Sequence, residues 1–584
     1  MRKKRAMIYQ RKNVRNVEIE FGAFDTETEG LGGKLLSIQC GCRDERNFFS
    51  GENMLEKFFE FLRAYPKPAI HYAHFAQYDW RYILDHIEKN EIKCTLSMRT
   101  ERDIYQIKII GETSADDIIM RDSFALWPGS LAGLADSFCP EIPKLKIDIE
   151  NYNPDNLEHR EYAMRDIEIL IVGLKRLDLL LRQFMGVGIA ATTASTAMKS
   201  WQNSLMIDEI YNGSKNGPIE DFIRSAYYGG IVFLTTTRLI TNCETYDINS
   251  SYPYVMSKML MPDGVPIRST RWNSNHFGIY RCHVTAPDNL IIPIIPSRNS
   301  RGSMRWLSGE FETICTNVEL MFAARHGYII DEIYEGLLFP LKVSPFAAFV
   351  EKCKSLRKEH KGQPPEQIAK LMQNSLYGKF GSRRERTELF HPETQEEEIG
   401  AFPFNDSEYW YTKTQPNEED MLVKPEWAVF ITAFARLRLL EAAYSVGIEN
   451  IIYGDTDSLT ILSGHSEKLD VGDEYGQFKL EKKWNSFRAI APKVYVGILE
   501  NGEIKGRAKG MPKKYMGVER WQELYDGGVT ICDYDTLPSL YSHIRQSGSE
   551  RKRVSRISSS LKKSINYQCD ENGDVHPRKA VKNV

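Results

Sequence analysis

The sequence has neither the cysteine spacing of a zinc site nor an apolar run long enough to cross a membrane. Its 10 cysteines are scattered, and none of them forms a Cys-x-x-Cys pair. This spacing excludes a zinc ribbon and indicates no disulfide framework, so we expect reduced thiols and a cytoplasmic location. Charge-free stretches such as residues 427–435 fall well short of the roughly 20 apolar residues of a membrane span. The basic first residues precede no apolar segment, which argues against a secretory signal.

An excess of either charge is also absent. The chain has 76 Lys and Arg against 79 Asp and Glu, which gives a formal net charge of −3. Taken alone, this balance argues against a nucleic-acid-binding protein. The hydrophobic fraction of 42% is ordinary for a globular protein, and 584 residues are too many for one hydrophobic core. A multidomain globular chain is therefore expected.

A first group of acidic residues lies in the N-terminal third, where mixed helix and strand patterns predict an α/β unit. Asp25 and Glu27 are two positions apart at the end of a predicted strand, so their side chains point to one face. Asp79 and Asp166 are candidates to complete a divalent-metal site, and Tyr162 precedes Asp166 by one helical turn. Each acidic residue alone is more often a solvated surface group. Together they suit phosphodiester hydrolysis by a metal-activated water that Tyr162 helps to orient.

A second group joins a strand end to a tight turn. Asp247 ends a predicted strand, and Asp455 and Asp457 flank a turn between two apolar runs. Ordinary turn chemistry is the competing explanation for two aspartates in a hairpin. Buried unpaired carboxylates are costly unless cations neutralise them. Three converging carboxylates suit two Mg²⁺ ions, one activating a 3′ hydroxyl and the other steadying a leaving pyrophosphate.

A predicted helix between these aspartates carries a polar stripe. Lys370, Asn374 and Tyr377 recur at positions i, i+4 and i+7, so they share one face, and Gly378 follows them. The stripe suits a nucleotide, because lysine can meet a triphosphate and the tyrosine ring can pack on a base. The simpler explanation is an amphipathic helix whose polar face is exposed to solvent.

Seven segments containing these residues resemble the motifs of family B DNA polymerases, in the order of the family. The segments that resemble polymerase motifs are 246–253, 370–378, 453–458 and 493–495. Those that resemble the 3′–5′ exonuclease motifs are 25–27, 78–79 and 162–166. Residues 227–230 and two inserts resemble the protein-primed branch of bacteriophages and linear plasmids.

The resemblance implies metal ligands and catalytic groups at both centres. Two Mg²⁺ ions are expected at each centre, with Mn²⁺ as an alternative. The implied polymerase ligands are Asp247, Asp455 and Asp457. The implied exonuclease ligands are Asp25, Glu27, Asp79 and Asp166, with Tyr162 as a further catalytic residue and either Lys144 or Lys146 as the family's exonuclease lysine.

The resemblance also implies residues that bind substrate. Tyr252 would lie under the sugar and exclude a 2′ hydroxyl. The nucleotide or template would contact Lys370, Asn374, Tyr377 and Gly378. The template would be gripped by Tyr227, Gly229 and Gly230, which balance synthesis against editing, and the primer end by Lys493 and Tyr495. Two positions depart from the family pattern: Phe75 stands where Asn is common, and Ser251 where Leu is common.

The implied architecture is an RNase H-like exonuclease domain followed by a right-hand polymerase with two insertions. The expected domains are the exonuclease (1–187), palm (188–258 and 426–525), first insertion (259–343), fingers (344–381), second insertion (382–425) and thumb (526–584).

These inferences predict a DNA-dependent DNA polymerase with proofreading, primed by a protein and displacing the strand ahead, that replicates a linear phage or plasmid genome. Its expected partners are template and primer DNA, dNTPs and a terminal protein, and a monomer in the cytoplasm of the host cell is expected. One alternative is a family B polymerase that uses a conventional primer or none. Another is a catalytically silent DNA-binding subunit. Near-neutral charge is compatible with DNA binding if phosphate contacts are confined to a lined channel.

Overall fold

The computed structural model describes most of the chain. The described residues are 8–9, 19–30, 32–65, 69–100, 103–205, 210–211, 217–383, 385–390, 402–403, 410–416, 422–511, 515–528, 530–536, 540, 552–557, 564 and 566–580. Within these ranges, no helix combines the length and the apolar character needed to span a bilayer.

The first region is a mixed sheet flanked by helices. The short strand β1 (Ile8–Tyr9) pairs with Ile210–Tyr211 and lies outside this sheet. The strands that this region contributes to the sheet are β2 (Glu20–Thr28), β3 (Leu35–Cys42), β4 (Glu45–Ser50), β5 (Ala69–Ala73), β6 (Cys94–Thr100), β7 (Asp103–Ile109) and β8 (Ile118–Asp122). Its helices are α1 (Met54–Ala64), α2 (Asp79–Lys89), α3 (Leu131–Phe138), α4 (Leu157–Leu180) and α5 (Thr193–Ser204). The side chain of Asn156 caps α4 by accepting the N–H groups of Glu158 and His159. Helix α4 then packs across β2 and β3, which places its inner face beside the end of β2.

The second region begins a separate antiparallel sheet. It contains β9 (Ile210–Tyr211), α6 (Pro218–Ser225), β10 (Val232–Leu234), β11 (Ile240–Ile248) and α7 (Ser251–Lys258). A module of short strands and one helix follows, formed by β12 (Met261–Asp263), β13 (Ile267–Ser269), β14 (Phe277–Thr285), β15 (Pro296–Arg298), β16 (Met304–Ser308), β17 (Glu310–Thr316), α8 (Asn317–Arg325), β18 (Ile329–Phe339) and β19 (Leu341–Val343). Strand β12 pairs with β19, so the module leaves and rejoins the chain at one place.

Two helices and a set of strands follow the module. These are α9 (Ala347–Glu359), α10 (Pro364–Phe380), β20 (Glu385–Phe390), β21 (Phe402–Pro403) and β22 (Tyr411–Pro416). Strand β20 pairs with β6 of the first region, which extends that sheet to ten strands in the order β21-β22-β20-β6-β7-β8-β5-β2-β3-β4.

The remaining described elements complete the second sheet and add two further antiparallel strand pairs. They are α11 (Pro425–Val446), β23 (Ile451–Asp455), β24 (Ser458–Leu462), β25 (Phe478–Ala491), β26 (Val494–Leu499), β27 (Ile504–Ala508), α12 (Val518–Tyr525), β28 (Ile531–Thr536), β29 (Lys552–Ile557), β30 (Tyr567–Cys569) and β31 (Val575–Lys579). The second sheet has the order β10-β23-β24-β11-β25-β26-β27. Helix α11 is apolar on nearly every face and lies buried in the core, as such a helix must.

Candidate active sites

The first acidic group forms a compact carboxylate cluster at the end of β2. Asp25 and Glu27 project from β2, and Asp166 projects from α4, so that one carboxylate oxygen of each lies within 4.8 Å of the others. Burial, together with the neighbouring carboxylates, raises the pKa of Asp25 well above its ordinary value and that of Glu27 to about 8. Three carboxylates this close repel one another unless a cation lies between them.

The cluster suits a divalent cation. One carboxylate oxygen of Asp166, Oδ1, is buried without a hydrogen-bond partner, while the other oxygen pairs with Lys144. Carboxylate oxygens are the hard ligands that Mg²⁺ and Mn²⁺ prefer. The donor set and the orphaned oxygen therefore fit the metal site that the sequence predicts.

Three more residues for which the resemblance implies a role at this centre lie around the cluster. Asp79, the first residue of α2, is buried and accepts a 2.7 Å hydrogen bond from the hydroxyl of Thr26, although it lies outside the compact group. Lys144 donates to Asp166 and lies 3.3 Å from the Tyr162 hydroxyl, whereas Lys146 is exposed. Of the two lysines between which the sequence leaves the choice open, Lys144 is therefore the one that contacts this cluster.

The second acidic group lines a cavity of about 360 Å³ in the second sheet. Asp247 on β11 lies opposite Ser458 on β24, and Asp455 and Asp457 flank the β23–β24 turn. Burial and the neighbouring Asp457 raise the pKa of Asp247 to about 7, and burial and Asp455 raise that of Asp457 to about 6. Desolvated carboxylates of this kind gain most from a bound cation.

Two basic side chains of the protein lie close to the carboxylate of Asp455. Lys493 lies 2.7 Å from one of its oxygens, and Arg507 lies 3.7 Å from the other. Within the described residues, the three aspartates of this second group do not lie as close together as Asp25, Glu27 and Asp166 do. The sequence did not single out Arg507. Its position opposite Tyr495 in the β26–β27 pair would have identified it, but that position can be read only from the strand register.

The predicted nucleotide-binding stripe lies on α10. Lys370, Asn374 and Gly378 are exposed on this helix, and Tyr377 is half-buried. The ring of Tyr377 stacks on that of Tyr252, with centroids 4.5 Å apart and planes 4° apart. The structure thereby brings together the two tyrosines that the sequence assigns to the nucleotide.

Residues 227–230 form an irregular segment that other elements hold from several sides. Arg436 of α11, buried in an ion pair with Glu319, donates to the carbonyls of Tyr228 and Gly229 at 2.8 Å. A Cβ at position 230 would lie 2.8 Å from Thr456, so glycine there allows the segment to approach the aspartate turn closely. The sequence does not identify Arg436, because the carbonyl groups to which it donates lie about 200 residues earlier in the chain.

Comparison with known proteins assigns the chain to a family. The family model for DNA polymerase type B, organellar and viral, matches residues 64–163 and 154–424. The chain belongs to this family. A probable DNA polymerase of Neurospora intermedia is 28% identical over 53% of this chain, which covers only 34% of that relative. The DNA polymerase of Bacillus phage Nf is 26% identical over 67% of this chain and 69% of its own length.

A solved structure shows the same fold as this chain. The phi29 DNA polymerase complexed with primer-template DNA matches with a TM-score of 0.73 at 19% identity, covering 92% of this chain and 100% of that one. The predicted multidomain fold, an exonuclease-type α/β domain followed by a polymerase hand, is confirmed by this match. The predicted membership in family B is confirmed by the family model.

Proposed function

We propose that this type B DNA polymerase uses two separate centres, one for template-directed synthesis and one for 3′–5′ exonucleolytic editing. The observation that supports the proposal is the presence of two buried acidic sites on two different sheets, each with desolvated carboxylates that suit divalent cations. Mg²⁺, or Mn²⁺ in its place, would supply Lewis-acid chemistry at both centres.

At the synthesis centre, the protein's own residues bind and orient the substrates. Asp247 and Asp457 would hold the metals, while Lys493 keeps Asp455 paired. Lys370 would meet the triphosphate of an incoming dNTP as a point charge, and the stacked Tyr252–Tyr377 pair would support the sugar and base. The stack fixes the Tyr252 ring, which suits it to exclude a ribose 2′ hydroxyl.

At the editing centre, Asp25, Glu27, Asp79 and Asp166 would hold the metals. Burial raises the pKa of Tyr162, so its phenol keeps its proton and can orient a water for attack on the phosphodiester. Lys144, within reach of both Tyr162 and Asp166, fixes their relative position.

The two-centre proposal is tested with paired variants of the full chain. Asp457→Ala should reduce metal-dependent dNTP incorporation at least about a hundredfold, since it removes electrostatic stabilisation of the transition state. Asp25→Ala combined with Asp166→Ala should abolish degradation of single-stranded DNA while sparing synthesis. Primer extension and release of labelled 3′ nucleotides measure the two activities.

Two results would contradict the assignment. Unchanged incorporation by Asp457→Ala would remove Asp457 from the synthesis centre, and equal loss of both activities in either variant would remove the separation of centres. A protein that binds DNA but incorporates no nucleotide under any metal would favour the silent-subunit alternative.

We further infer that synthesis starts on a terminal protein and copies a linear phage or plasmid genome in the host cytoplasm. Support comes from the resemblance of residues 227–230 and of the two inserts to the protein-primed branch. An initiation assay with labelled dAMP and other dNTPs should attach a nucleotide covalently to a candidate terminal protein. Efficient extension of a bare template without any partner would instead favour the alternative without protein priming. Gel filtration of the free chain tests the expected monomer.

A further inference from the structure

Strand β3 contains two polar side chains with no solvent exposure. Ser37 and Gln39 are both 0% exposed, although the rest of the strand consists of Leu, Ile, Cys and Gly. A buried amide or hydroxyl is costly unless it is hydrogen-bonded, so such residues need a specific partner. Packing of the sheet does not by itself explain them.

The strand register places both residues opposite the exonuclease carboxylates. Strands β2 and β3 are antiparallel, with Gln39 opposite Asp25 and Ser37 opposite Glu27. Side chains directly opposite each other in an antiparallel pair share a face and lie within contact distance. Asp25 and Glu27 therefore each have a polar neighbour on β3.

Hydrogen bonds connect these residues into one chain that ends at Asp25. The Nε2 group of Gln39 donates to Oδ2 of Asp25 at 3.1 Å, and the hydroxyl of Ser37 donates to Oε1 of Gln39 at 3.4 Å. The hydroxyl of Tyr152, which follows a short helical turn at Ile149–Asn151, lies 2.8 Å from Ser37. The Tyr152 side chain is in turn buried, with its ring stacked on His159.

The chemistry of the groups fixes the direction of this chain. When a cation keeps Asp25 ionised, its carboxylate only accepts hydrogen bonds, so the amide presents its NH₂ group to Asp25 and its carbonyl to Ser37. Because Ser37 then donates to Gln39, the phenol of Tyr152 donates to Ser37. Three donors thus point in series toward one oxygen of Asp25.

We propose that Gln39 is a positioning residue of the editing centre, which holds the Asp25 carboxylate ready for a divalent cation and is itself oriented by Ser37 and Tyr152. The proposal rests on the proposed function of the carboxylate cluster. Hydrogen-bond partners that orient metal ligands typically raise metal affinity or activity by 10- to 100-fold. Gln39 acts through Asp25 and does not touch the substrate.

The test measures metal binding directly on the full chain. In a background of Asp247→Asn and Asp457→Asn, which weakens the synthesis centre, titration calorimetry with Mn²⁺ reports the editing centre. Gln39→Met keeps the size of the side chain without its hydrogen bonds and should weaken Mn²⁺ binding about tenfold. Tyr152→Phe should weaken it in the same direction by a smaller factor.

Gln106→Met is the matched control. Gln106 is also a buried glutamine of the same sheet, but its amide oxygen accepts from Arg121 rather than serving a carboxylate. It should leave the Mn²⁺ affinity unchanged, and circular dichroism verifies that every variant is folded. Mn²⁺ binding by folded Gln39→Met or Tyr152→Phe that matches the background protein would overturn the proposal.

A failure of the positioning role of Gln39 can be distinguished from a failure of the function proposed for the carboxylate cluster. If Asp25→Ala with Asp166→Ala loses exonuclease activity but Gln39→Met retains full Mn²⁺ affinity, only the positioning role fails. If the double alanine variant still degrades DNA, the function assigned to the cluster fails. If Gln39→Met does not fold, the comparison of Tyr152→Phe with Gln106→Met decides the question.

Discussion

Phe75 adopts a backbone conformation that bulky residues rarely occupy, with φ at 60°. One buried carboxylate, that of Asp122, accepts the backbone N–H groups of both Phe75 and Phe124. The Phe75 ring is 42% exposed and lies 5.5 Å from that of Tyr78 and 5.2 Å from that of Phe124. Backbone strain of this kind clusters at functional sites, so we expect these rings to form a platform on which unpaired bases stack.

Phe75→Asn should raise the stability of the protein and weaken its binding of single-stranded DNA. Asn tolerates the left-handed conformation, so the melting temperature should rise slightly, whereas loss of the ring should weaken binding of single-stranded DNA about tenfold. Thermal unfolding and fluorescence anisotropy with a labelled oligonucleotide measure the two effects.

Leu179→Asn, at an exposed apolar position on α4, is the control for the loss of exposed apolar surface and should leave DNA binding unchanged. Unaltered affinity of the Phe75 variant for single-stranded DNA would contradict the platform.

At the scale of elements, the strands of residues 385–416 belong structurally to the first region. Leu389 of β20 lies opposite Leu96 of β6 and is buried among the side chains of that region. Trp410 is also fully buried there and donates its indole N–H to Glu88 of α2. The strands that follow α10 in sequence, predicted as the second insertion, are therefore attached to the sheet of the first region.

Trp410→Ala should release this attachment. Removing a buried tryptophan costs about 3–5 kcal/mol, so local opening of the β20–β6 pair should become more frequent. Hydrogen exchange at Leu96 and Leu389, followed by mass spectrometry, should accelerate markedly. The control, Trp272→Ala, removes a partly exposed tryptophan. Equal protection of β6 in both variants would show that Trp410 does not hold the insert.

At the scale of the whole molecule, the sequence predicts best the residues that lie at strand ends or within one helix. Asp25 with Glu27 and Lys370 with Asn374 are adjacent by the periodicity of a single element. Membership in the family and the order of its motifs were likewise predictable. The near-neutral charge, by contrast, says little about either buried centre.

The remaining site residues depend on pairings that periodicity does not encode. Gln39 faces Asp25 only because β3 pairs with β2 in one register, and a shift by one residue would turn it to the other face. Arg507 and Tyr152 contact partners, Asp455 and Ser37, that are distant from them in the sequence. The union of β20 with β6 joins strands almost 300 residues apart, which no local pattern predicts.

The pairing of β16 with β31 can form only after nearly all of this sequence has been translated. The hydroxyl of Ser308 donates to the carbonyl of Pro577, 269 positions later, and the two strands run parallel. At about 5–20 residues per second, β16 emerges from the ribosome tens of seconds before its partner strand exists. During that interval its open edge is available to other strands, and a nascent chain that stalls before residue 575 keeps that edge exposed to aggregation and to the cell's proteases.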